Sequence, residues 1–207
     1  LMDETQFLFN SWKTSLELAT DRGFIVNSNY HNIEIKDFKF MLSNKESNID
    51  IICNQHKHDD EKILYIKYIL ALKIKPSSIK EVYEEIQQKI SDDKTIDLIL
   101  ILKSKPNNSI LKLQKDKQYS NIQIYWCKQL QFNVTKHELV PTHRRLSEDE
   151  ANSILTRYSL SNKHQLPVLL KDDVISKYYN YKSGDIIEIT HTKTSQNSEY
   201  KFYRCVR

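Results

Sequence analysis

Apolar residues recur at helical spacing in the first part of the chain. Three or four positions separate the members of one set: Leu8, Trp12, Leu16 and Ala19. This spacing predicts an amphipathic helix that begins with a capping box of Asp3 and Gln6 and ends before Gly23. A second set predicts a helix that Ser78 and Glu81 begin in the same way: Ile79, Val82, Tyr83, Ile86 and Ile90.

Four isoleucine-rich runs predict the strands of a small mixed sheet: residues 49–53, 63–72, 96–102 and 122–126. Shorter helices are predicted over residues 36–42 and 109–115. Strands that alternate with helices indicate layered α/β packing in this part of the chain.

The last third of the chain has a different pattern. Ser147 and Glu150 form a capping box ahead of an apolar helical face, and Asp172 or Asp173 begins a short helix. A turn at Gly184 follows. Two strand-like runs then predict a C-terminal β-hairpin: residues 186–189 and 200–206.

The length of 207 residues suits one large domain or two small ones. The change of pattern predicts two domains, residues 1–134 and 135–207. The expected fold class is α+β, with a mixed α/β domain followed by a small α+β domain that ends in the hairpin. About 70 residues is small for a self-sufficient core, so docking onto a partner would help to stabilise the second domain.

Composition excludes several classes of protein. The content of 39% hydrophobic and 28% charged residues is ordinary for a globular protein. No apolar run approaches the roughly 20 residues of a membrane-spanning helix, so no membrane association is expected. The formal net charge of +4 predicts local rather than extensive contact with nucleic acid. Two distant glycines cannot form a glycine-rich phosphate loop.

Two histidine-containing segments lack the ligand set of a metal site. Glu138 is the only other candidate ligand near His137 and His143, whereas zinc needs three or four converging ligands. Residues 56–61, His-Lys-His-Asp-Asp-Glu, lie between two predicted strands, where a polar loop is expected. Three widely separated cysteines predict buried thiols rather than a disulfide or a zinc site: Cys53, Cys127 and Cys205. We therefore expect no metal and no other cofactor.

One pair of residues resembles part of a nuclease site. Asp50 and Lys67 lie on neighbouring predicted strands, but metal-dependent nucleases of the restriction type need a second carboxylate two positions before the lysine. Tyr65 stands at that position, so the site is incomplete. A degenerate nuclease-like enzyme, or a free nucleic-acid-binding protein, is the alternative function.

The C-terminal part also carries a long ordered set of residues: 137–141, His143, Leu146, Ser147, Arg157, Tyr158, Leu160, 165–167, Lys182, Gly184, Ile189, Tyr200, Tyr203 and Arg204. This set resembles the jaw subunit common to eukaryotic RNA polymerases I, II and III and, over the C-terminal domain alone, its archaeal counterpart. A weaker match to the same family lies in the N-terminal part: Trp12, 21–23 and 37–39.

The resemblance implies a structural subunit that is not an enzyme by itself but a component of a DNA-directed RNA polymerase. Its C-terminal assembly domain would dock on the largest subunit. Its N-terminal domain, with a nuclease-like sheet, would be the lower jaw that braces incoming downstream duplex DNA. Other polymerase subunits and transcription factors are the further partners implied. The location would be the nucleus for a cellular protein, or the virion or a cytoplasmic viral factory for a large DNA virus. The Lys-, Asn- and Ile-rich composition is what AT-rich coding produces and hints at a large DNA virus or a protist.

The resemblance also implies the interface residues. Those expected to shape subunit docking are His137, Glu138, Leu139, Val140, Pro141, His143, Arg157, Tyr158, Gln165, Leu166, Pro167, Gly184, Tyr203 and Arg204. Those that could contact DNA phosphates are Lys103, Lys105, Lys112, Lys115 and Lys117. Lysines on a solvated face are the other interpretation of the second set.

The chain departs from the family pattern at four places. One residue is inserted between Leu160 and Gln165. Asp172-Asp173 replaces the Asp-Pro of the family, and Asn180 replaces a glycine. Residues 191–197 replace a loop of Arg, Ser, Glu, Thr and Gly, so contacts of that loop are expected to change. Asn tolerates a positive φ better than other non-glycine residues, so the backbone path at Asn180 is expected to survive.

Overall fold

The computed structural model describes residues 3–44, 49–55, 62–90, 95–114, 116–119, 121–193 and 198–207, with the backbone alone at 117, 192, 193 and 198. The chain divides into two compact units, Leu1–Phe132 (unit 1) and Asn133–Arg207 (unit 2). Each unit has its own sheet between or beside helices, so the protein is α+β, as predicted. Among the described residues, no helix is both long enough and apolar enough to cross a membrane.

Unit 1 alternates helices with strands. Its elements are α1 (Glu4–Asp21), β1 (Phe24–Ile25), α2 (Ser28–His31), α3 (Ile35–Ser43), β2 (Ile51–Gln55), β3 (Lys62–Ile69), α4 (Pro76–Lys89), β4 (Thr95–Leu102), α5 (Asn108–Leu113) and β5 (Ile122–Trp126). The sheet order is β1-β2-β3-β4-β5. The pairs β1–β2 and β2–β3 are antiparallel, and β3–β4 and β4–β5 are parallel. All four predicted strands are confirmed, and β1 is an addition that the pattern did not predict.

Helices cover both faces of the central strands, which is consistent with the mostly apolar sequences of β3 and β4. On one face, Leu100 packs with Ile79 and Tyr83 of α4. On the other face, the Tyr68 hydroxyl lies 3.1 Å from the Ser11 hydroxyl of α1 and 2.9 Å from that of Ser15. The core of unit 1 therefore extends through the sheet from α1 to α4.

Two predicted capping boxes in unit 1 are wrong. Asp3 precedes α1 but its side chain makes no capping hydrogen bond, and the Gln6 amide bonds to Asn10 at 2.7 Å instead. Helix α4 begins at Pro76, two residues before Ser78, with no side-chain cap from Lys75. Proline presets the helical φ and has no N–H to satisfy, so it starts the helix without a capping side chain.

Unit 2 is built around a four-stranded sheet. Its elements are β6 (Thr142–Arg145), α6 (Glu148–Arg157), β7 (Val168–Leu169), α7 (Val174–Tyr179), β8 (Ile186–Lys193) and β9 (Ser198–Val206). The sheet order is β6-β8-β9-β7, with β8 and β9 forming the predicted C-terminal hairpin. The short strand β7 pairs in parallel with β9.

The helix signals of unit 2 are confirmed. The Ser147 hydroxyl accepts from the Glu150 N–H at 3.3 Å, and the Glu150 carboxylate accepts from the Ser147 N–H at 2.9 Å. The Asp173 carboxylate caps α7 by accepting from the Ile175 N–H at 2.9 Å. Asn180 ends α7 in the left-handed region with φ 56°, so the backbone path expected there is retained.

The two faces of the unit 2 sheet pack against different partners. Ile186 and Cys205 point to the face on which α6 packs through Ile154 and Leu155. Ile187, Ile189 and Val206 point to the opposite face and pack against Leu169 and Tyr181. Because successive strand residues point to opposite faces, β8 and β9 each contribute residues to both small clusters.

Candidate subunit and nucleic-acid interfaces

The segment before β6 forms a turn that presents Leu139 to solvent. The Val140 N–H donates to the His137 carbonyl at 2.9 Å, and the Leu139 N–H lies 3.2 Å from His137 Nδ1. Leu139 is 83% exposed, more than any other large apolar side chain described, and Glu138 beside it is also exposed. A leucine held outward by local hydrogen bonds is suited to burial in an interface.

His143 joins this turn to the sheet. Its Nδ1 lies 2.8 Å from the Pro141 carbonyl, so Nδ1 carries the proton, and its own carbonyl accepts from the Tyr181 hydroxyl at 3.3 Å. Burial lowers the pKa of the His143 imidazole, and this effect exceeds the opposing hydrogen bond to Pro141 and the charge of Asp173. His143 is therefore a half-buried, neutral support of the turn at neutral pH.

Arg157 and Tyr158 lie at the end of α6, beside β9. The Tyr158 ring is 50% exposed, and its centroid lies 6.0 Å from that of Tyr203. The Arg157 guanidinium lies 6.0 Å from the Tyr158 ring centroid. Tyrosine and arginine are enriched in interface cores, so this exposed group of two tyrosines and an arginine is suited to binding a partner.

Gln165, Leu166 and Pro167 mainly support the fold. The Gln165 side chain accepts from the Ser161 N–H at 2.7 Å, Leu166 is 8% exposed, and the Pro167 carbonyl accepts from the Cys205 N–H at 2.9 Å. Leu166 is buried, whereas Gln165 and Pro167 are exposed, so the three predicted docking residues differ in their access to solvent.

Gly184 and Arg204 hold the ends of the hairpin strands. Gly184 has φ +90°, where a Cβ would lie 2.8 Å from Lys163 Nζ. Side-chain-bearing residues rarely adopt this φ, so glycine is required for the turn. The Arg204 guanidinium donates to the Val168 carbonyl at 2.9 Å, which ties β9 to β7.

A buried carboxylate organises the α6 side of the sheet. Glu188, 7% exposed, lies 3.2 Å from both Arg144 and Lys201 and accepts from the Tyr203 hydroxyl at 3.3 Å. Burial alone would raise the pKa of Glu188, but the hydrogen bonds and charges of Lys201 and Arg144 outweigh it and lower the pKa. Arg144 also binds Glu150 at 2.8 Å, so one arginine connects the sheet to the N-terminus of α6.

The sequence interpretation missed a set of exposed apolar residues in unit 2. Alternation along β9 could have revealed Phe202, since it shares a face with Tyr200, which was noted only as a family match. The set comprises Val168, Leu170, Val174, Tyr200 and Phe202. His191, on β8, stacks on Tyr200 with 5.2 Å between ring centroids.

The structure separates the lysines proposed to lie near DNA. Lys103 follows β4 and forms an ion pair with Glu4, whereas Lys105 and Lys112 are exposed. Lys115 lies outside the described residues, and only the backbone of Lys117 is described. Lys105 and Lys112 are thus the candidates whose side chains the structure places in solvent.

The Asp50 carboxylate is 4% exposed and engaged by three protein donors. Lys67 Nζ and the Tyr65 hydroxyl lie 3.1 Å from Oδ2, and the Tyr68 N–H lies 3.0 Å from Oδ1. Burial and the neighbouring Asp50 raise the pKa of Tyr65 to about 12. The hydroxyl therefore remains a donor at neutral pH, and Asp50 serves as the acceptor of a buried polar cluster.

No group of three His, Cys, Asp or Glu side chains that could hold a metal occurs in the described part of the chain. Residues 56–61 lie outside that part. The three cysteines are free thiols buried in the two units, and burial raises the pKa of Cys53 to about 11.

Comparison with known proteins covers both units. Residues 2–86 match the family described as RNA polymerase Rpb5, N-terminal domain, and residues 132–206 match RNA polymerase Rpb5, C-terminal domain. Among similar proteins of Arabidopsis thaliana, DNA-directed RNA polymerase V subunit 5A is 26% identical over 99% of this chain and 90% of its own length. DNA-directed RNA polymerases IV and V subunit 5B is 27% identical over 94% of this chain and 87% of its own length. The predicted resemblance to the polymerase jaw subunit is confirmed, and the chain belongs to the Rpb5 family of RNA polymerase subunits.

Proposed function

We propose that this chain is a non-catalytic structural subunit of a multisubunit DNA-dependent RNA polymerase. Residues 135–207 would dock on the largest subunit, and residues 1–134 would form a lower jaw that braces incoming downstream DNA. The observation that carries the proposal is the match of both units, in order, to the two domains of one polymerase-subunit family. Other polymerase subunits are its partners, and a nuclear location is proposed for a cellular protein.

Exposed apolar and aromatic side chains support the docking role of unit 2. Leu139 and Tyr158 are predicted docking residues and are 83% and 50% exposed. The Tyr158 ring is held by its contacts with Arg157 and Tyr203, so its binding would lose little side-chain entropy. A surface of this composition is typical of a stable interface.

The jaw role rests on charge. Lys105 lies in the segment after β4, and Lys112 lies on α5. Exposed lysines bind phosphates through a sequence-independent and salt-dependent attraction, which suits a subunit that guides any downstream sequence. With few lysine–phosphate contacts, the free chain would bind DNA weakly. Within the assembled polymerase, the same contacts would help to brace the DNA.

The nuclease alternative has less support. A catalytic metal needs a second carboxylate near Asp50, but the neighbouring group is the Tyr65 hydroxyl, which donates to Asp50 at 3.1 Å. Lys67 is likewise paired with Asp50. We therefore assign this cluster to the stability of the sheet.

Affinity purification of the tagged full chain from its native cells tests the proposal. Recovery of the two largest polymerase subunits in equal amounts is expected. Leu139→Asp should reduce that recovery about tenfold or more, because it places a charge in a buried contact. Leu72→Asp is the matched control, since Leu72 is 71% exposed in unit 1 and its change should leave recovery intact. Recovery of the wild-type chain alone, or with unrelated proteins, would refute the proposal.

A further inference from the structure

Three aromatic rings cluster on one face of the C-terminal hairpin. His191 of β8 pairs with Tyr200 of β9, and Phe202 lies two residues further along β9. The His191 and Tyr200 rings are stacked, with 5.2 Å between centroids and 7° between planes. Phe202 meets both edge-on, with centroids 5.5 Å from His191 and 5.2 Å from Tyr200. We call these three residues the hairpin aromatic triad.

The triad lies on the same sheet face as the buried residue Ile189, but its own rings are partly exposed to solvent. Ile189, opposite Phe202, is 5% exposed and packs with Tyr181. Phe202 itself is 51% exposed and Tyr200 is 39% exposed. Mutual ring contacts fix the side chains although much of their surface is in water. Rigid, partly exposed aromatics are the side chains that most often dominate binding energy in interfaces.

Positive side chains flank the triad. Arg204 lies two residues beyond Phe202 on the same face of β9. Arg145 of β6 is opposite Ile187 on that face, two residues from the neutral His143. His191 and Arg204 are close enough to His143 to lower the pKa of its imidazole, and Asp173 opposes them. A partner with both apolar and acidic side chains is complementary to this surface.

A nucleic acid fits this surface less well than a protein segment does. Stacking with a base needs an open ring face, but His191 and Tyr200 cover one face of each other and Phe202 meets them edge-on. Arg204 and Arg145 are the described arginines on this sheet face, and each already contacts the protein, Arg204 at the Val168 carbonyl and Arg145 at Asp185, whereas strand binding uses a row of cations.

We propose that the hairpin aromatic triad docks an acidic and apolar segment of another polymerase subunit. This proposal rests on the proposed function and adds a specific surface to it. The triad lies on the sheet face opposite α6 and includes His191, at the start of the segment where the chain departs from the family pattern. The surface of the partner subunit would therefore be complementary to residues that are particular to this chain.

Site-specific photocrosslinking tests the proposal. The full-length tagged chain carries p-benzoylphenylalanine in place of Phe202 and is assembled into polymerase, purified and irradiated. A crosslink to an acidic and apolar peptide of another polymerase subunit is expected. The same probe at Phe40, which is 70% exposed on α3, is the matched control for nonspecific labelling. A crosslink to DNA or RNA, or none beyond that of the control, would overturn the proposal.

A second measurement uses substitutions. Tyr200→Ser combined with Phe202→Ser should weaken retention of the chain in the polymerase about tenfold or more in a salt-wash series, whereas Phe40→Ser should not. Thermal unfolding of the free variants checks that both remain folded. Unchanged retention of a folded double variant refutes the triad contact. The proposed function fails separately if the wild-type chain does not copurify with polymerase at all.

Discussion

The two units distribute their apolar residues differently. In unit 1, the central strands of the sheet are covered on both faces, and side chains as large as Trp12 and Phe38 are at most 1% exposed. Within the described residues, each unit has seven large apolar side chains in the exposed class, although unit 2 is little more than half as long. Unit 2 thus has more unburied apolar surface for its size.

This difference separates two ways of using apolar residues. Unit 1 packs its apolar residues into its own core, where a run such as Leu98 to Leu102 is completely buried. Unit 2 has two thin clusters and a buried charge network, and it leaves Leu139, Tyr158 and Phe202 outside. A domain of this size gains little from its core alone, so the proposed docking onto a partner would add to its stability.

The largest effect is expected in the core of unit 1. Leu100→Ala should lower the free energy of unfolding by about 2–5 kcal/mol, because Leu100 is fully buried in the central strand. Urea unfolding followed by tryptophan fluorescence measures it, since both tryptophans lie in unit 1. Leu72→Ala, at an exposed leucine, should change stability by less than about 0.5 kcal/mol. Equal effects of the two substitutions would contradict the described core.

An intermediate effect is expected from the charge network of unit 2. Glu188→Gln should lower its stability at pH 7 by about 1–2 kcal/mol, since it removes the charge that Arg144 and Lys201 contact. The folded-state pKa of Glu188 is lowered. Its contribution is therefore present above the unfolded pKa, near 4.5, and is lost as pH falls through the folded pKa.

Hydrogen exchange of the β8 and β9 amides, from pH 7 down to a pH below the folded pKa of Glu188, measures this effect. The wild-type protein should lose protection on acidification, after correction for intrinsic exchange rates, more steeply than the Gln variant. Glu199→Gln is the control, because Glu199 is exposed on the same hairpin. Identical pH profiles for wild type and Glu188→Gln would show that the network adds no stability.

The smallest effect is expected at the end of α7. Asn180→Ala should destabilise unit 2 by about 1 kcal/mol, because alanine is strained at φ 56°, whereas Asn180→Gly should be nearly neutral. Thermal unfolding of the two variants compares them directly. A larger loss for glycine than for alanine would indicate that the Asn180 contact with Lys182, at 2.9 Å, matters more than the backbone.

Local signals predicted structure well where nothing competed with them. Ser147 and Glu150 form the predicted capping box, and Asp173 caps α7. The equally plausible pair Ser78 and Glu81 does not, because Pro76 begins the helix earlier. The residue pattern was the same in both cases, and a neighbouring residue decided which outcome occurred.

The interface residues were predicted as an ordered family set, which does not distinguish exposed from buried positions. Leu139 and Leu166 are both leucines in that set, yet one is 83% and the other 8% exposed. The triad was missed because its three rings come from both strands of the hairpin. Only the register of His191 with Tyr200 brings them together.

The sequence alone determined the family, the α+β class, the four Ile-rich strands and the C-terminal hairpin. These depend on residue order and on short-range periodicity, which can be read from the sequence without knowledge of tertiary contacts. Tertiary structure decided which face of each strand is covered, which carboxylates are buried, and which apolar side chains stay in solvent. Those outcomes depend on packing between residues that are distant in the chain, as where Asp50 receives its donors from β3 and Glu188 binds Arg144.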